Sequence, residues 1–303
     1  MTRTLRILRA AAVLAATTLT TSIAMSQPSS PVMSKPQAGY LRVMVGDAEV
    51  TALSDGTMAL TPDMLTGAPR TEIDAHLRNA HMRGHTLHTS VNIFLIRHGG
   101  RMVLVDGGCG LFYGPSLNKL PASLKASGYT PEQITDVLVT HLHDDHAGGL
   151  MMDGKRVFPN ATIYVDKREG VNAMVAPYQK VGKLARFEGE FELTPGIRSL
   201  PTPGHTPGHS AYVLETKGQK LLFWGDVMHI EEVQFPAPQI NSVFESNRAD
   251  AVAQRQKVFA DAAEKGYLVA GAHITYPGIG RLAKEGSGYR WWPLRYVDDA
   301  VTR

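Results

Sequence analysis

The chain has 303 residues, 43% of them apolar and 19% charged, with a formal net charge of +3. That length makes one large domain or two small ones, and the composition is that of a soluble globule rather than a disordered, repetitive or fibrous chain. The small positive charge gives no case for nucleic-acid binding: Arg3, Arg6 and Arg9 lie among the first 24 residues, and without that stretch 28 basic residues face 28 acidic ones.

In chain order, those three arginines precede a short apolar run from Ala10 to about Leu19, too short for a stable membrane anchor. Small residues follow at Ser22-Ile23-Ala24, with Ala24-Met25-Ser26 as a second cleavage option. Residues 1–24 therefore read as a secretory signal peptide and imply a periplasmic or secreted protein. Residues 25–38, rich in Ser, Pro and Gln, read as a flexible lead-in to a domain over 39–303. The single Cys109 cannot form an internal disulfide, and reads as a buried bystander.

Within the domain, segments 41–45, 49–53 and 57–60 alternate as strands, with Ser54-Asp55-Gly56 as a hairpin turn between the last two. Residues 62–88 carry a polar helix and loop. Segments 91–97 and 102–106 form another hairpin across His98-Gly99-Gly100. Residues 116–127 look helical and stop at Gly128. A short turn at 131–134 leads to a strand over 136–140. Further strands are expected at 162–165, 197–200, 211–215 and 220–224, and a one-faced helix at 248–265. Two strand-rich halves, each with helices, fit a mirrored α/β sandwich.

The chemistry concentrates in His141-Leu142-His143-Asp144-Asp145-His146. His141 and His143 alternate along extended backbone, so their rings point the same way. Asp145 and His146 sit past the bend and can reach a second ion. Imidazole with carboxylate suits zinc first, with manganese, cobalt or iron as alternatives. Downstream, Thr202-Pro203-Gly204-His205 offers another imidazole on a Gly/Pro-shaped turn. Asp226 ends the apolar run 221–225, His273 follows the apolar run 267–272, and Asp106 closes 102–105. Donors at the ends of several strands make a site on a rigid scaffold. His209 reads as structural. His76, His81, His85, His88 and His98 have no metal spacing among themselves; His85 or His88 could border the cleft.

Val105-Asp106-Gly107-Gly108, Thr140 to His146, Thr202 to His205, Gly225-Asp226 and Ala272-His273 occur in the order and spacing of the metallo-β-lactamase superfamily, which the chain resembles over most of its length. The resemblance implies an αβ/βα four-layer sandwich with two divalent metal ions in its cleft. His141, His143 and His205 would hold one ion, Asp145, His146 and His273 the other, and Asp226 would bridge them. Asp106 would steady the ligand loop by hydrogen bonds. Two such ions lower the pKa of a shared water toward neutral, and Asp226 or Asp145 would accept its proton.

A narrower resemblance, from Tyr40 to Tyr296, is to the methyl parathion hydrolase subfamily. It is carried by the stretch from Gly46 to Thr57, by Pro277-Gly278-Ile279-Gly280 and by Glu285-Gly286-Ser287-Gly288-Tyr289-Arg290. It implies hydrolysis of organophosphate triesters or aryl esters first, with lactone opening as the alternative. A glutathione thioesterase of the glyoxalase II kind, and a metal-binding protein without activity, stand further out. Asp226 argues against a β-lactamase, a branch that lacks a bridging carboxylate. Dedicated acyl-homoserine lactonases carry Tyr three residues after the bridging Asp, where this chain has His229. Phe112 falls at a pocket position of the subfamily, while residues 166–186 hold only Tyr178 where relatives have a Trp and a Phe. Trp291 and Trp292 are candidate pocket walls, with a core cluster as the competing reading. The expected partner is a small-molecule ester, phosphotriester or lactone; homodimerisation is left open.

Overall fold

The computed structural model describes Gln37, residues 39–82 and residues 86–295; the expected signal peptide, His85 and Tyr296 lie outside these described residues. Two seven-stranded sheets carry the chain, each built almost in sequence order. The first runs β1 (Tyr40–Val45), β2 (Ala48–Leu60), β3 (Leu87–His98), β4 (Arg101–Val105), β5 (Asp136–Leu138), β6 (Thr162–Asp166) and β7 (Leu184–Phe187). Its first four strands pair antiparallel and the last three join in parallel. The second runs β8 (Glu192–Thr194), β9 (Ile197–Pro201), β10 (Ser210–Thr216), β11 (Gln219–Phe223), β12 (Leu268–Ala270), β13 (Ile279–Glu285) and β14 (Gly288–Pro293).

The apolar residues explain the layering. Phe94 and Ile96 of β3 meet Tyr212, Leu214, Leu221 and Phe223 in a core between the two sheets. Val91, Ile93 and Leu95, on the opposite face of β3, meet Leu120 and Leu124 of α2 (Leu120–Ala126). A strand buried on both faces reads as a nearly continuous apolar run, as 91–96 does. On the outer face of the second sheet, Val213, Leu222 and Val269 pack against Val258, Phe259 and Ala262 of a long helix, Arg248–Lys265. The order helix, sheet, sheet, helix is the expected four-layer sandwich. A smaller cluster, with Ile73 and Leu77 of α1 (Arg70–Asn79) against Leu60, Ile230 and Val233, closes one end.

Several elements differ from the sequence reading; β7 and β8, for instance, fall where no strand was expected. Ser54-Asp55-Gly56 is no hairpin turn but a bulge inside the continuous strand β2, whose register against β3 shifts there. Asp55 turns inward, and its carboxylate accepts the backbone N–H of Cys109 and of Leu120, each at 2.7 Å. Gly56 takes φ +114°, and a Cβ there would sit 2.0 Å from the Ser116 carbonyl oxygen. Helix α2 starts four residues later than expected, because Asn118 adopts φ +60° and Pro121 favours a helix start rather than an interior. Finally, β13 and β14 form a hairpin that periodicity had not singled out.

Candidate metal centre

Loops leaving the C-terminal ends of β5, β9, β11 and β12 converge on one cleft. After β5 the chain runs extended through His141 to His143, then turns into α3 (Asp144–Ala147), which brings Asp145 and His146 alongside. Gly149 lets this turn press against the loop after β4: a Cβ there would lie 2.1 Å from the Gly107 carbonyl oxygen. The loop after β9 delivers His205, the loop after β11 Asp226, and the loop after β12 His273.

The side chains form two adjoining groups, His141 with His143 and His205, and Asp145 with His146, Asp226 and His273, and His229 makes a third, overlapping set with His205 and Asp226. In the first, His205 Nε2 lies 3.1 Å from His141 Nε2 and 3.0 Å from His143 Nδ1. One proton can satisfy two facing nitrogens but not three; a cation accepts all three lone pairs. In the second, His146 Nε2 and Asp226 Oδ1 are 3.0 Å apart, yet both are buried and neither makes a hydrogen bond. His273 Nε2 lies 3.3 Å from both Asp145 Oδ2 and Asp226 Oδ1. Asp226 spans the groups, with Oδ1 toward His146 and His273 and Oδ2 3.4 Å from His205 Nε2. Buried donors aimed at one another without hydrogen bonds fit divalent cations.

The far sides of His141, His146 and His273 are anchored. Asp106 Oδ2 takes His146 Nδ1 at 2.8 Å, while its Oδ1 accepts the backbone N–H of Thr140 at 2.8 Å. His273 Nδ1 donates to the Ser90 carbonyl at 3.0 Å. His141 Nδ1 meets the Thr140 hydroxyl at 3.1 Å. His209 belongs to neither group. Its Nε2 accepts the N–H of Asp226 at 3.0 Å, so the proton is on Nδ1, which donates to Thr202. Burial holds His209 neutral, with its pKa pushed down to about 3.

The charges balance within the site. Burial alone would raise Asp145 and Asp226, but His146 and His273 pull both below the usual carboxylate range. Burial would likewise lower His146 and His273; the carboxylates Asp226 and Asp145 outweigh it and raise both, His273 to about 10. The two carboxylates thus stay ionised, their charge opposed by the raised His146 and His273 imidazoles. Divalent cations would displace the imidazole protons.

The cleft above the groups has a volume of about 390 Å³. Met58, Leu60, Met64, Tyr113, Leu142 and Phe244 supply apolar walls over His143, Asp145, His205, Asp226, His229 and His273. His229 sits at the floor, its Nε2 3.3 Å from Asp226 Oδ2, with neither ring nitrogen hydrogen-bonded. Burial lowers its pKa, so the ring is neutral. His88 is exposed and borders only a narrow side crevice behind His229 and His273.

Other expected pocket residues lie elsewhere. Trp291 stacks on Phe235 at 5.6 Å and meets Trp224, half-buried at the edge of the core under the long helix; strand alternation turns Trp292 outward, 53% exposed. Neither lines the cleft. Phe112 packs beside Gly148 outside the lining, and its neighbour Tyr113 takes the place instead. Residues 166–186 contribute nothing to the lining, and Tyr178 is a core residue donating to the Leu150 carbonyl. Cys109 is fully buried, and burial pushes its thiol pKa up. Sequence reasoning missed Met58, Met64, Tyr113, Phe244 and the buried pair Glu245 and Arg255, none of which stands in a motif.

A family model described as the metallo-beta-lactamase superfamily matches residues 87–273. An N-acyl homoserine lactonase from a Bacillus species is 39% identical over 116 residues, 36% of this chain and 44% of that one. A hydroxyacylglutathione hydrolase from Vibrio parahaemolyticus is 41% identical over 105 residues, 35% of this chain and 36% of that one. The chain thus spans less than half the length of these curated relatives. Among solved structures, the hydrolase AbOPH of the beta lactamase superfamily superposes with a TM-score of 0.83 at 33% identity, covering 87% of this chain and all of that one. AidC, a dizinc quorum-quenching lactonase, superposes with a TM-score of 0.78 at 23% identity, over 86% of this chain and 99% of that one.

Proposed function

The chain belongs to the metallo-beta-lactamase superfamily, and from that premise we propose that it is a two-metal hydrolase of neutral esters, with lactones as the leading substrate class. The observation that carries the two-metal part is Asp226, which offers one oxygen to each group of donors. His141, His143 and His205 would hold one ion and Asp145, His146 and His273 the other, zinc being the ion that best suits this donor set. Two divalent ions at such a site polarise a carbonyl oxygen and make water nucleophilic at neutral pH.

The chain's own residues do the rest. Asp106, Thr140 and the Ser90 carbonyl fix ring orientations, so the donors need not reorganise. Met58, Leu60, Met64 and Phe244 exclude water and offer apolar surface to an acyl chain. The neutral His229 presents a hydrogen-bonding nitrogen beside Asp226, suited to a substrate oxygen.

Charge selects among substrates. Among the described residues lining the cleft there is no Lys or Arg, while Asp144, Asp145 and Asp226 are present. The carboxylates of a glutathione thioester or a β-lactam would find no cationic side chain. The lactonase relatives favour lactones over the phosphotriesters that the motifs alone had put first. Aryl esters and phosphotriesters remain the second reading, supported by the aromatic faces of Tyr113 and Phe244. A hydrolysis panel on the zinc-loaded protein tests this. N-acyl homoserine lactones and aryl esters should turn over well, phosphotriesters more slowly, and β-lactams and glutathione thioesters hardly at all. A preference for the glutathione thioester, or for phosphotriesters over every lactone, would overturn the substrate assignment.

A further inference from the structure

The anchor of His205 is unlike the others. Its Nδ1 lies 3.1 Å from Oε2 of Glu245, a residue 40 positions away whose side chain is fully buried. The other oxygen, Oε1, accepts from Arg255 at 3.0 Å and from the Ser242 hydroxyl at 3.3 Å. Arg255 is itself completely buried, on the inward face of the helix Arg248–Lys265. Its remaining nitrogens donate to the carbonyls of Val227, Pro238 and Ile240 at 2.6, 3.1 and 2.7 Å. The segment that carries Glu245 also holds the backbone of the His205 loop: Ser246 N–H donates to the His205 carbonyl and Asn247 N–H to that of Gly204, both at 2.9 Å.

A buried ion pair contributes little net stability, since apolar residues of the same volume often do as well. Stability therefore does not account for this one. What it does is local: with both of its oxygens engaged, Glu245 can only accept from His205, which forces the proton onto Nδ1. That leaves the Nε2 lone pair facing His141 Nε2 and His143 Nδ1. We propose that Glu245, held in place by Arg255, is the positioning residue that fixes the His205 imidazole as its Nδ1–H tautomer and so completes the three-nitrogen donor set. It does for the first group what Asp106 does for the second. The inference rests on the two-metal reading above.

Glu245→Gln is the informative variant. Its single carbonyl oxygen is claimed by Arg255, so its amide NH₂ faces His205 Nδ1 and reverses the hydrogen bond. Zinc binding is measured by competition with a chromophoric chelator, with circular dichroism to confirm folding and the visible spectrum of the cobalt-substituted protein as an independent readout. One of the two zinc ions should bind about 10–100-fold more weakly, the other unchanged, and the cobalt spectrum should shift. A second measurement needs no variant: imidazole nitrogen NMR of the zinc-loaded wild-type protein should find His205 protonated at Nδ1, with that proton slow to exchange. A folded Glu245→Gln protein with two ions at wild-type affinity and an unchanged cobalt spectrum overturns the inference. So does a His205 protonated at Nε2. A wild-type chain that takes up no zinc overturns the two-metal reading as well, which separates the two failures.

Discussion

Asp226 and His209 touch each other yet do different work, and single substitutions should separate them. Asp226→Ala removes the carboxylate that faces both groups. Turnover should fall by more than about 100-fold, the upper end for losing even an outer partner of a metal ligand, and at least one ion should be lost. His209→Ala should keep both ions. It leaves the Asp226 N–H unpaired in a buried place and should lower unfolding free energy by about 1–3 kcal/mol, read from urea denaturation with metal content measured in parallel. Retained turnover in Asp226→Ala, or loss of an ion in His209→Ala, would reverse these roles. The donors themselves were legible because three imidazoles and two acids in six residues have few other uses. Glu245 and Arg255 were not legible. The acid stands in an ordinary polar loop, and the arginine falls on the apolar face of its helix beside Ala251, Val258 and Ala262, where a charge argues against burial until the fold supplies its partners.

At the scale of elements, the bulge in β2 shows where local rules give way. Ser-Asp-Gly between alternating segments is a turn signal. Here tertiary structure decides instead, because the N–H groups of Cys109 and Leu120 need a buried acceptor and Asp55 supplies both bonds. Asp55→Ala should therefore cost about 2–4 kcal/mol, the penalty of leaving two buried donors unmade. A hairpin-turn residue at the surface would change stability by less than about 0.5 kcal/mol. Chemical denaturation distinguishes the two: a small effect would mean the carboxylate does not tie the loop behind the metal centre to the sheet. The hairpin of β13 and β14 escaped notice for a related reason. Trp291 and Trp292 differ only in which face alternation gives them, and neighbours supplied by a distant helix determine which one packs against the core.

For the whole molecule, the sandwich was legible because family motifs mark strand ends along most of the chain. The substrate was not, since the cleft walls come from Met58, Met64, Tyr113 and Phe244, far apart in sequence and joined only by folding. The same convergence ties stability to the ions. A bound ion stabilises by about 2.7 kcal/mol when its free concentration is a hundred times its dissociation constant, so stripping it at that level should lower the melting temperature by roughly 5–10 °C for a domain of this size. An unchanged melting temperature after chelation, in protein shown to have held metal, would mean that the donors are equally content without it. The number of ions is the most direct mark of a bridging Asp226. Elemental analysis of zinc-saturated, desalted wild-type protein should give two zinc ions per chain, and one or fewer for Asp226→Ala. One ion or none in the wild type would contradict the two-metal reading.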